Sequence, residues 1–225
     1  MNINIFLALI FAYVGVIILK RIVKVLLLRK IGSAALDEVG KRALARVPTT
    51  VSLLKTDSPA WTHAAEVEQQ SAPLRKEGFT DLGAYTVSTI PGVVMRMMAH
   101  PATYVATHIC DHPKAGSWTE FTTRYTDGST HSLTNLAPTG MNSPDWFRKI
   151  QADKNTPTDQ LYRQFLAQRE QRGIKPVAPA DAIREYEENY ARLMNWRQQT
   201  GLSTKEVANV TVQWAQKKQA ATSSK

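Results

Sequence analysis

The reactive side chains of this 225-residue chain crowd into one short stretch, His108-Ile109-Cys110-Asp111-His112. Successive side chains on a β-strand point to opposite faces, so His108, Cys110 and His112 would share one face and Asp111 the other. Alternate residues lie about 6.6 Å apart along a strand, and zinc takes imidazole and thiolate at about 2.0–2.3 Å. This pattern makes His108, Cys110 and His112 the candidate metal set, and a membrane-bound enzyme or metal-binding sensor the function it would imply. No CxxC, HExxH or second His/Cys pair supplies further ligands, so His100 and His131 would have to be folded alongside.

A nucleophile built on Cys110 lacks an orienting acid, because Asp111 would face away. There is no P-loop, dinucleotide fingerprint or nucleophile elbow. No catalytic residue and no cofactor is assigned. The plainer account is that His100-Pro101 and His112-Pro113 close strands, since proline holds its predecessor extended and cannot donate to a central ladder. Cys110 is then a small buried apolar side chain. Arg96 and Arg124, placed on one sheet face, would make a groove for an anion or a solvated face of cross-strand ion pairs. Tyr186, Tyr190, Trp196 and Trp214 recur at helical spacing and read as core.

These residues need a sheet to position them. Residues 82–136 are rich in Thr, Val, Tyr and Met in short runs between turn signals, which predicts strands over 83–90, 93–100, 102–110, 118–126 and 129–136. Asp127-Gly128 predicts a two-residue type I′ turn between the last two. Helices are expected from Ser58-Pro59 to about Ser71, over a short segment from Ser143 to about Asp153, and from Thr156-Pro157-Thr158-Asp159 to Gly173. Ile183, Tyr186, Tyr190, Leu193 and Arg197 mark one face of a further helix ending at Gly201. Ser203-Thr204-Lys205-Glu206 is a capping box for a last helix, on which Val207, Val210 and Trp214 share a face. Strands followed by helices, rather than alternating with them, give an α+β fold: an antiparallel meander of about five strands flanked by N-terminal and C-terminal helices.

The composition excludes whole classes. Gly and Pro number 11 each, there is one cysteine, and 43% of residues are hydrophobic. A collagen-like, disulfide-stapled or disordered chain is ruled out. The net charge of +9 invites a nucleic-acid reading until its distribution is examined. Residues 1–46 hold eight basic and two acidic side chains, a net +6, whereas the other 179 hold 20 and 17, a net +3. A body so close to neutral offers no basic stripe, and no nucleic-acid partner is expected.

The excess lies beside the apolar run Ile5–Leu19, IFLALIFAYVGVIIL. Crossing a bilayer core of about 30 Å takes about 20 residues, and the flanking residues make up the difference, with Lys20 and Arg21 reaching to the interface. A cleaved signal would carry its positive charge before the run rather than after it. The sequence thus predicts a single transmembrane helix at 1–30 whose basic border, Lys20, Arg21, Lys24, Arg29 and Lys30, lies against anionic headgroups. Basic residues are retained on the cytoplasmic side, which puts the N-terminus outside and the body in the cytoplasm. The expected organisation is an anchor (1–30), a helical extension to about Arg46 with a linker (31–59), a cytoplasmic α+β domain (60–219) and a frayed tail (220–225). The function expected is a non-enzymatic interaction or accessory module, with the lipid bilayer and a neighbouring membrane protein complex as partners.

Overall fold

The structure, a computed structural model, describes residues 47–138, 140–203 and 205–206. The expected membrane span, its basic border, the helical extension and the last helix beyond Glu206 lie outside the described residues. Among the described residues, no helix is long and apolar enough to cross a membrane.

Residues 50–137 and 143–191 form one compact unit. Its frame is a mixed α+β arrangement of seven strands laid side by side in chain order: β1 (Leu53–Thr56), β2 (Thr80–Val87), β3 (Val94–His100), β4 (Val105–His112), β5 (Gly116–Arg124), β6 (Thr130–Thr134) and β7 (Phe147–Gln151). Neighbours are antiparallel except β6 and β7, which run parallel. The expectation of about five strands is corrected to seven. Leu53–Thr56, read as linker, is a four-residue edge strand on β2. Phe147–Gln151, read as a helix, pairs with β6; its alternation is disguised because Lys149, and not an apolar residue, follows Phe147 on the same face.

The hairpin at Asp127-Gly128 forms with a different turn. Only Gly128 has positive φ, at +83°; the Tyr125 N–H donates to Ser129 O at 3.0 Å and the Gly128 N–H to Tyr125 O at 3.0 Å. This is the three-residue loop with a left-handed glycine, rather than type I′, which needs positive φ at both central residues.

Helices α1 (Ala64–Lys76) and α2 (Thr158–Gln168) cover one face of the sheet. Val67 and Leu74 of α1 and Leu161 and Phe165 of α2 close over Met98, Ile109, Phe121 and Leu133 of the central strands. Helix α1 starts later than the Ser58-Pro59 signal predicts because its cap comes from the sheet. The Asp111 carboxylate accepts the N–H groups of Thr62 and His63, the latter at 3.0 Å. Pro73 does not end the helix. The carbonyl it leaves without an N–H belongs to exposed Gln69, which faces solvent, so the last turn survives to Lys76. Helix α2 stops at Gln168, short of Gly173. Arg169 turns extended and sends its guanidinium to Thr103 O at 2.8 Å and Thr123 Oγ1 at 3.0 Å.

Helix α3 (Ala182–Thr200), opened by a 3-10 turn at Pro179–Asp181, lays its first three turns on the opposite face, where Glu187 accepts the Leu53 N–H at 2.6 Å. Residues 138–142 and 192–206 belong to a second unit. There α3 ends as expected at Gly201, φ +76°. The capping box is formed, with the Glu206 N–H donating to Ser203 Oγ at 3.2 Å and the Ser203 N–H to the Glu206 carboxylate at 2.9 Å. Arg197, buried, meets Glu206 at 2.6 Å.

Candidate functional site

The α3 face of the sheet differs in kind from the other. Register places Met97 of β3, Ala106 and His108 of β4, and Glu120, Thr122 and Arg124 of β5 on it, with His108 directly across from Glu120. The first turns of α3 contribute Ala182, Glu185, Tyr186 and Asn189. Between sheet and helix lies a small cavity of about 40 Å³, open at one side. Val177 and Tyr104 complete its lining. Its lining, mostly apolar with a few converging polar groups, has the composition of a small-molecule site.

The charged groups at the cavity lie beside opposite charges. Glu120 accepts Ser132 Oγ at 2.6 Å and Lys149 Nζ at 3.0 Å. Arg124 Nε lies 3.7 Å from Glu185, whose other oxygen accepts Lys175 Nζ at 2.5 Å. The Arg124 guanidinium also donates to Asn189 Oδ1. Burial pulls the Lys149 ammonium below its ordinary pKa against the pull of Glu120. Burial likewise holds His108 well below the ordinary histidine value, with Lys149 adding to the effect. His108 is therefore a neutral imidazole at pH 7, one nitrogen donating and the other accepting.

Among the described residues, four side-chain atoms at this cavity are buried without a hydrogen bond; Arg124 Nε and Glu185 Oε2 face each other as an ion pair, which leaves His108 Nε2 and the Tyr186 hydroxyl. His108, 4% exposed, buries Nε2 without a hydrogen bond, and Tyr186 buries its hydroxyl in the same condition. The two rings meet edge to face with centroids 5.2 Å apart. Leaving a buried donor or acceptor unmade costs about 1–3 kcal/mol, so this pair would gain from a polar group placed in the cavity.

The residues singled out in the sequence fare differently. His108, Cys110 and His112 do share a face of β4, and Asp111 points to the other. His112 is used locally: its Nδ1 accepts the N–H groups of Lys114 at 3.2 Å and Ala115 at 3.1 Å, fixing the turn after β4. His100 does the same after β3, accepting from Ala102 and Thr103 at 3.2 Å. Both histidines thus close strands in the way the following prolines suggest. Cys110 is fully buried, opposite Met95 and Trp118. Among the described residues, no group of three His, Cys, Asp or Glu side chains is placed to hold a metal ion.

Arg96 and Arg124 do not share a face. Arg96 pairs with Ile109, which pairs with Thr119, so Arg96 lies under α1, 3.0 Å from Glu68, while Arg124 lies under α3. His131 faces α2, its ring 5.4 Å from Phe165, on the far side of the sheet from His108. No family model, curated protein or solved structure matches the chain.

Sequence reasoning missed Glu185, Tyr186 and Asn189 as site residues because their helical period fits a core face equally well. It missed Lys149 because a lysine in a short segment reads as surface. The one available signal was Asn189: an amide among Tyr186, Tyr190 and Leu193 on an apolar stripe needs a polar partner when buried.

Proposed function

We propose that this chain is a membrane-held binding module, non-enzymatic, whose α+β domain takes a small molecule in the cavity between the sheet and α3. The observation that carries the reading is the pair of buried, unpartnered atoms at the cavity, His108 Nε2 and the Tyr186 hydroxyl. The membrane part is supported by the apolar run Ile5–Leu19 and the basic residues directly after it. That arrangement would present the binding domain to the cytoplasm, close to a membrane protein complex able to respond to its occupancy.

Native mass spectrometry of the full chain, purified in mild detergent, tests the proposal. Ala106, half-buried on the cavity wall, is replaced by Phe to fill the space. The wild-type chain is expected to carry an adduct of small-molecule mass that the Ala106→Phe chain lacks; the same adduct on both would place it elsewhere.

A further inference from the structure

We infer that the cavity takes an uncharged amphiphile: a small apolar body carrying one hydroxyl or carbonyl, with that head group hydrogen-bonded between His108 and Tyr186. The inference rests on the cavity being a ligand site and adds the chemical class of its occupant.

The two orphan atoms, His108 Nε2 and the Tyr186 hydroxyl, decide the class. The ionised groups at the cavity already have opposite charges beside them: Arg124 and Lys175 share Glu185, and Glu120 has Lys149. A carboxylate arriving here would be buried beside Glu120 and Glu185 and would compete with Glu185 for Arg124. An ammonium would be buried beside Arg124 and Lys149. Burying either charge costs several kcal/mol of desolvation, and only a partner already shared with another group is there to offset it. A hydroxyl or carbonyl meets no such penalty and supplies what the two orphan atoms need. A neutral imidazole and a phenol can each donate or accept, so a hydroxyl satisfies both at once.

The walls settle the body. Met97, Ala106, Val177 and Ala182 offer no hydrogen-bonding side chain, and methionine adapts its shape to a flat ring. Tyr104, also lining the cavity, is 37% exposed, the one aromatic side chain at the cavity so open to solvent. It is also the only non-glycine residue at positive φ among those described, at +53°. That conformation closes the turn between β3 and β4, where the Tyr104 N–H donates to His100 O at 2.9 Å. Tyr104 provides a ring face at the mouth for the apolar body.

Equilibrium dialysis of the full chain, with the same detergent in both chambers so that partitioning cancels, tests the class with three probes of one shape: 2-naphthol, naphthalene and 2-naphthoate. The wild-type chain is expected to retain 2-naphthol best. Tyr186→Phe and His108→Gln should each weaken 2-naphthol about three- to tenfold, as for one lost hydrogen bond, and leave naphthalene unchanged. Tightest retention of 2-naphthoate, or equal loss of naphthalene and 2-naphthol in the variants, would overturn the class while leaving the site standing. Retention of all three probes no better than by Ala106→Phe would overturn the site as well.

Discussion

Lys149 and Glu120 show what the α3 face demands of single residues. Both side chains are nearly buried and meet at 3.0 Å. Removing one partner strands the other charge in the interior, so Lys149→Met should lower unfolding stability by about 3–5 kcal/mol. Adding Glu120→Gln to that variant should restore part of the loss, because the stranded carboxylate is gone. Urea titrations of both variants check this. On the other face His131 has its pKa lowered to about 4 by burial, then by Arg148 and Arg169. An unfolded histidine binds its proton near 6.5, so the stability from keeping His131 neutral is complete above pH 6.5 and is lost as pH falls toward 4. This contribution is at most about 3 kcal/mol. His131→Phe should flatten that part of the stability–pH curve; an unchanged slope in urea midpoints between pH 6.5 and 4 would count against it. Of the site, only His108 was legible in the sequence as a reactive residue on a strand. Its neighbours there, Cys110 and His112, proved to be packing and a turn cap, because alternation fixes a face and says nothing of where a ring nitrogen finds its partner.

At the scale of elements, Asp111 joins β4 to α1. It accepts the N–H groups of Thr62 and His63, and its other oxygen lies 2.6 Å from His63 Nδ1. Asp111→Ala should cost about 1–2 kcal/mol, as the loss of a helix cap does, and Asp111→Asn less, since one acceptor remains. Amide exchange would show the loss concentrated at residues 62–67; a uniform loss over the sheet would contradict a capping role. This cap also explains why the start of α1 was misread. Ser58-Pro59 is a good local signal, but the carboxylate that sets the helix start is some 50 positions away in sequence. The elements found correctly are those whose information is local. Val94–His100 lies between Pro-Gly and a His-Pro stop, and Ala182–Thr200 has a sustained period and a closing glycine. The strands missed, Leu53–Thr56 and Phe147–Gln151, are short and take their identity from partners. One pairs across a 23-residue gap that holds a whole helix. The other is parallel to its neighbour and carries a buried lysine.

For the whole molecule, the uneven charge leads to a claim about place. A chain lacking residues 1–30 should leave the membrane fraction for the soluble one, while the full chain should stay in membranes washed with high salt. Release of the full chain by salt alone would mean that the basic border at Lys20–Lys30 binds electrostatically and that nothing spans. The 20 basic and 17 acidic side chains of the remaining 179 residues nearly cancel, and two of the pairs they form are buried under α3, one of which, Glu120–Lys149, is a residue-scale requirement of the cavity. The central claim is that this cavity is a ligand site, and its two faces offer an internal control. Met97 lines the cavity, whereas Met98, one residue on, lies in the core beneath α1 and α2. With methionine methyl groups labelled with carbon-13, titration of the full chain with 2-naphthol should shift the Met97 methyl signal saturably and leave Met98 in place. A shift of Met98 alone, or of both methyls in equal and unsaturable measure, would contradict it.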